Sequence, residues 1–153
     1  MSIIIQAKHI YKSYNDLQVL KDIDVSINTS EVVSIVGASG AGKTTLLQIL
    51  GTLDKADKST QSQLLIKGEN IASFNDKALA KFRNNHIGFI FQFHQLFPEF
   101  SALENVCIPA FIKNTTKSQA ETDAKKLLDY LGLKNRYHHK PSELSGGEQQ
   151  RVA

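Results

Sequence analysis

Residues 37–45 read Gly-Ala-Ser-Gly-Ala-Gly-Lys-Thr-Thr, and no other stretch limits the possible folds so tightly. The three glycines Gly37, Gly40 and Gly42 let the backbone turn sharply and present successive N–H groups on one side. The spacing G-x-x-x-x-G-K-[ST] works only between a strand and a helix, because the helix directs its positive end at whatever the loop holds. Both flanks fit. Residues 32–36 are β-branched apart from Ser34, which predicts a strand covered on both faces, as in parallel sheets. Residues 44–50 put Leu46, Leu47 and Leu50 on a helical stripe that Gly51 stops. An α/β fold follows, with a loop shaped for phosphate: backbone amides of Gly37, Ala38, Ser39, Gly40, Ala41, Gly42 and Thr45 around the anion, Lys43 reaching the β- and γ-phosphates, and the Thr44 hydroxyl ligating Mg²⁺. A glycine-rich turn beside an exposed lysine is the competing reading, and the strand and helix on either side argue against it.

The remaining segments extend this α/β body. Residues 1–10 read as a strand, and residues 19–27 alternate, with Val25 and Ile27 on one face, as a half-solvated strand would. Residues 28–30 supply a turn, and the polar stretch 53–63 reads as a surface loop. Residues 64–66 and 71–74 look like short edge strands around Gly68-Glu69-Asn70, 78–84 a short helix, and 87–91 a buried strand. From Ser101 the pattern is helical. Ser101 with Glu104, and Ser118 with Glu121, have capping-box spacing, and Ala120, Ala124, Leu127, Leu128 and Leu131 form one stripe ending at Gly132. The longest apolar runs are far shorter than a bilayer requires, and Lys8 with no small-residue cleavage pattern argues against a signal peptide. The single cysteine, Cys107, excludes an internal disulfide and reads as a small buried hydrophobe in a reducing compartment. A net charge of +3 without a like-charge block argues against a nucleic-acid partner.

A second motif stands near the C-terminus, Leu144-Ser-Gly-Gly-Glu-Gln149. Ser145 can N-cap a helix, Glu148 completes a capping box, and Gly146 and Gly147 bare the first amides, which makes another anion-receptive helix end. Alone it would read as an ordinary capped helix. Together the two motifs resemble the ABC transporter ATPases, whose signature sequence is LSGGQ. The resemblance covers essentially the whole chain except residues 55–63, which are longer than usual and lack a Ser-Gly turn. It implies a P-loop NTPase core of RecA-like, ABC type with an antiparallel β subdomain and an inserted helical subdomain. As one domain over 1–153, it divides into the ATP-binding core with β subdomain (1–92) and the Q-loop, helical subdomain and signature (93–153).

The same resemblance implies ATP and Mg²⁺ as ligands and assigns further residues. Tyr14 sits where the family stacks an aromatic on adenine; otherwise it reads as a strand tyrosine packed on the sheet. Gln92 corresponds to the Q-loop glutamine that contacts Mg²⁺ and the attacking water. Ser145, Gly146, Gly147 and Glu148 would act on the γ-phosphate held by a second, head-to-tail ATP-binding subunit. The helices over 101–132 would border a groove for a membrane permease subunit, with His94 at that interface. His138 and His139 lack partners for a metal and read as a basic, solvated loop. Residues 91–105 and 141–153 look most like the ATP-binding subunits of lipoprotein-releasing systems, peripheral on the cytoplasmic face of the bacterial inner membrane. Macrolide-export and cell-division ABC ATPases share much of that wording.

The family continues past its signature with an apolar strand ending in Asp-Glu and a later histidine, and no segment of these 153 residues matches them. The expectation is a truncated ABC ATPase: the parent hydrolyses ATP, whereas this chain binds nucleotide weakly and turns over little or nothing. Two other classes compete. A soluble ABC ATPase acting on nucleic acid or ribosomes would carry long coiled coils or tandem domains, and neither is visible. A non-catalytic, nucleotide-dependent interaction module suits the parent poorly, because Lys43, Thr44 and Gln92 are all intact.

Overall fold

Residues 2–58 and 61–153 are described in the computed structural model, as two units that meet in sequence between Ile87 and Gly88. The sequence division was set at residue 92. Residues 1, 59 and 60 lie outside the described residues, so the first position of the 1–10 strand and part of the 53–63 loop do too.

The first unit is built on alternation. Strand β1 (Ile3–Tyr14) pairs antiparallel with β2 (Leu17–Asn28), Ala7 opposite Val25 and Tyr14 opposite Leu17. Its other edge pairs antiparallel with β3 (Gln63–Ile66). Lys67 and Gly68, both left-handed (φ 53° and 81°), form a two-residue turn of the kind that suits strand twist, leading to β4 (Glu69–Asn70). The sheet order is β2-β1-β3-β4. Ala7, Ile10, Leu20, Leu64 and Ile66 bury one face of it. Helix α1 (Lys43–Leu50) packs into the same cluster with Leu46, Ile49 and Leu50, and α2 (Asp76–His86), capped by Asn75, adds Leu79 and Phe82.

Several expectations are corrected here. Residues 32–36 form no strand, and Val32 and Val36 are 95% and 86% exposed. Residues 87–91 likewise carry no strand assignment. The first was expected to be a strand covered on both faces and the second a buried strand, and such strands are held by their neighbours rather than by their own propensity. Among the described residues, no strand bonds to either. Ile71–Ser73 is a 3₁₀ turn rather than an edge strand, because the Asn70 side chain accepts from the Ala72 amide and ends the extended run. In α1 the buried positions are Leu46, Ile49 and Leu50, with Leu47 half exposed. The left-handed residue after α1 is Thr52 (φ 59°), not Gly51.

The second unit is helical: α3 (Ala102–Ile112), α4 (Lys117–Tyr130) and α5 (Gly146–Val152). Leu103, Cys107, Ala120, Ala124, Leu128, Leu133, Leu144 and Val152 share its core. Fully burying one such leucine is worth about 2 kcal/mol. The expected box at Ser118 and Glu121 does not form, because the helix has already started. Thr116 is the cap, accepting from the Gln119 amide. Leu127 and Leu131 are partly exposed. Gly132 (φ 75°) reverses the chain after α4, with the Leu133 amide donating back to Leu128.

Candidate functional site

Glycine geometry makes the 37–45 loop. Gly40 and Gly42 are left-handed at φ 79° and 83°, and Gly37 at φ 154° is also in a region side chains avoid. Gly42 has a second reason to be glycine. A Cβ there would lie 2.8 Å from Leu20 Cδ2 and 3.0 Å from both Val19 Cγ1 and the Val19 carbonyl oxygen, so the loop is seated directly on β2. The Ala41 amide donates to the Ala38 carbonyl, closing the tip around Ser39 and Gly40. Lys43 folds back onto the loop, its Nζ donating to the carbonyls of Gly37 (3.0 Å) and Ala38 (2.6 Å). Thr44 and Thr45 follow in the first turn of α1.

The N-terminus of α1 differs from the other α-helices. Asn75, Ser101, Thr116 and Ser145 cap α2, α3, α4 and α5 with a side-chain oxygen, whereas Gly42 gives α1 none. Uncapped amides at the positive end of the dipole are what an external anion binds. The exposed Thr44 hydroxyl is a hard oxygen of the type Mg²⁺ takes, so these residues fit a metal-bound phosphate.

Tyr14 ends β1 in the same unit. Its hydroxyl donates to Asp54 Oδ2 (2.8 Å), and Lys12 Nζ lies 5.0 Å from the ring centroid. Tyr14 as a residue is 44% exposed, which leaves surface for stacking. Lys12 also donates to Asp54 Oδ1. Burial pushes the Asp54 carboxyl up, but donations from Lys12, Tyr14 and the Lys55 amide together hold it below its ordinary value. Asp54 and Lys12 were missed by sequence reasoning, since the pairing spans 42 positions and leaves no local signal. His9 of β1 and Asp22 and Asp24 of β2 cluster in space on the paired strands. They are already engaged with one another, the His9 ring with Asp22 and the His9 amide with Asp24.

Gln92 and the signature belong to the second unit. Gln92 is exposed in an irregular stretch, and the loop beyond it is held by Asn105. The Asn105 Oδ1 accepts from the Phe97 amide, and its Nδ2 donates to the carbonyls of Phe97, Phe100 and Ser101. A polar residue amid the apolar run of α3 was the available clue. His94 Nδ1 lies 3.0 Å from Gln150 Oε1, tying this loop to α5. The backbone of 137–139 docks on the start of α3, through Ala102 and Leu103 amides donating to the His139 and Tyr137 carbonyls.

The capping box at Ser145 forms as expected. Glu148 Oε2 accepts from the Ser145 amide and hydroxyl (2.8 Å each), and the Glu148 amide donates to Ser145 Oγ. Arg136 adds a partner unseen in the sequence, its Nε donating to Glu148 Oε1 at 2.8 Å. The Ser145 amide first, then Arg136, hold the Glu148 carboxyl down to about 2. Gln149 Nε2 donates to the Pro141 and Leu144 carbonyls, pinning the turn that precedes the helix. Tyr14 and residues 37–45 thus fall in the first unit, and Gln92, Ser145, Gly146, Gly147 and Glu148 in the second.

A family model described as "ABC transporter" matches residues 20–153. The lipoprotein-releasing system ATP-binding protein LolD of Porphyromonas gingivalis (strain ATCC BAA-308 / W83) is 57% identical over 150 residues, covering 98% of this chain and 67% of that protein. LolD of Bacteroides fragilis (strain YCH46) is 58% identical over 150 residues, with 98% and 68% covered. Among solved structures, the dimeric ATP-binding cassette MJ0796 in a post-hydrolysis state bound to ADP and Pi aligns with a TM-score of 0.86 at 36% identity, over 97% of this chain and 66% of that one. The chain therefore spans about two thirds of the length of the proteins it resembles, and it has the ABC ATPase fold. Among the described residues no helix is long and apolar enough to cross a membrane.

Proposed function

The chain belongs to the ABC transporter family, and on that premise we propose that its residues form the nucleotide-binding face of an ATPase subunit that drives release of lipoproteins from a bacterial inner membrane. The observation that carries the reading is the uncapped start of α1, wrapped by a glycine loop that holds the Lys43 ammonium. Triphosphate oxygens take the amides of residues 37–45, and Lys43 turns from its two carbonyls to the β- and γ-phosphates. Tyr14 stacks its exposed ring on adenine. The Thr44 hydroxyl would hold Mg²⁺, which would neutralise charge on the phosphates, and Gln92 is proposed as the Q-loop glutamine of its own unit. Ser145, Gly146, Gly147 and Glu148 of a second copy, set head to tail, close over the γ-phosphate. The subunit is peripheral on the cytoplasmic face, against integral permease subunits that meet the second unit near His94.

A polypeptide of these 153 residues has no apolar strand ending in Asp-Glu to supply a general base. It should bind MgATP weakly and turn over little or none. The transport reading is tested by extending the chain to the relatives' length and reconstituting it with the membrane subunits of a lipoprotein-releasing system. ATP-dependent release of a lipoprotein from the vesicles is expected. Efflux of a macrolide without lipoprotein release would replace this cargo with the drug-export alternative.

A further inference from the structure

The signature of the family ends in glutamine, LSGGQ, whereas here Glu148 holds that place. A carboxylate at the helix end that meets a triphosphate brings like charge to an anion site, which repels unless it is neutralised. The neutralising group is present. Arg136, in the 3₁₀ turn Lys134–Arg136, donates through Nε to Glu148 Oε1, and the pair carries no net charge, as a glutamine would.

The proton inventory at Ser145 makes the pairing matter. The Ser145 hydroxyl has one proton and gives it to Glu148 Oε2. To donate to a phosphate it must turn away from that carboxylate. Glu148 then keeps the Ser145 amide on Oε2 and Arg136 on Oε1, so it is not stranded as an unpaired charge. Lys134 lines the same small recess and adds positive charge beside the pair.

We propose that Arg136 is a positioning residue for the signature: it neutralises Glu148 and holds its carboxylate through Oε1, so that the Ser145 hydroxyl and the Gly146 and Gly147 amides can receive the phosphate of nucleotide bound to a second copy. The assignment rests on the reading of the signature given above.

The test uses the chain at its relatives' length, assembled with its membrane subunits. Arg136→Met keeps the apolar stem and removes the charge. It should lower kcat about tenfold or more, while equilibrium binding of a fluorescent ATP analogue to the isolated subunit, which reads the 37–45 loop alone, stays within about twofold. The double variant Arg136→Met/Glu148→Gln removes both charges and should recover kcat to within about threefold of the unsubstituted protein. A double variant as slow as Arg136→Met, or one that fails to fold, would show that Arg136 acts by packing alone and overturn the proposal. So would an Arg136→Met protein as fast as its parent. Gly147→Asp separates the two levels. If that change leaves kcat intact, the signature reading itself fails; if it abolishes turnover while Arg136→Met is harmless, only the role of Arg136 is lost.

Discussion

At the scale of single residues, Gly42 and Gly40 differ although both are left-handed. At Gly40 an added Cβ meets nothing within 4 Å, so alanine there costs only the backbone strain, about 1 kcal/mol. At Gly42 the same methyl would meet Leu20, the Val19 side chain and the Val19 carbonyl, and a backbone carbonyl gives way less cheaply than the end of a flexible side chain. Gly42→Ala should therefore cost about 2–4 kcal/mol and weaken MgATP binding, whereas Gly40→Ala should weaken binding with a much smaller loss of stability. Thermal melts paired with nucleotide titration check this, and equal melting temperatures for the two variants would contradict the seating of the loop on β2. Thr52 presents the opposite case. Its carbonyl accepts from Arg83, but its buried hydroxyl has no partner among the described residues. Thr52→Val keeps the β-branched shape and removes the orphan, so it should raise stability by about 1 kcal/mol, read as a higher urea midpoint.

Between elements, the start of α5 carries a pH signature. Glu148 titrates near 2 when folded against an ordinary 4.5, so its contribution to stability is complete above 4.5 and is lost as pH falls toward 2. Carboxyl carbon NMR should place its midpoint near 2, with amide exchange at the start of α5 accelerating between pH 4.5 and 2; a midpoint near 4.5 would contradict the box. Asn105 tests the neighbouring loop. Asn105→Ala strands the Phe97 amide and the Phe100 carbonyl, while the Phe97 and Ser101 carbonyls keep backbone donors, and should cost about 2–3 kcal/mol in the second unit, measured by hydrogen exchange. These elements also show what was legible from the residues alone. The boxes at Ser101 and Ser145 were readable because a cap and its partner lie three residues apart. The identical spacing at Ser118 misled, since Thr116 caps the same helix two residues sooner and only the folded start of α4 decides between them. Leu47 and Ile49 are equally apolar, and which one turns inward depends on where the sheet lies. The Arg136–Glu148 and Tyr14–Asp54 pairs join distant positions, where no periodicity points.

For the molecule as a whole, residues 32–36 matter most. A β-branched run with Val32 and Val36 almost fully exposed combines high strand propensity, no proline and a backbone that pairs with no strand among the described residues. Each property alone is ordinary; together they make a template for another chain's backbone. The same residues lead directly into Gly37, so a chain pairing there would also constrain the entry to the phosphate loop. A polypeptide of these 153 residues should therefore self-associate as its concentration rises, seen by sedimentation velocity as a shift to larger species. Val32→Lys/Val36→Lys should suppress that shift, because two like charges on an edge oppose strand addition. The substitution leaves the glycines, Lys43 and Thr44 untouched, so MgATP binding measured at dilute, monomeric concentration should change little. Association that persists in the lysine variant would move the contact elsewhere, to the exposed Ile90 and Phe93 of the second unit. A monomer at all concentrations would mean that the run is shielded in solution, and strand formation at 32–36 would then need no partner chain.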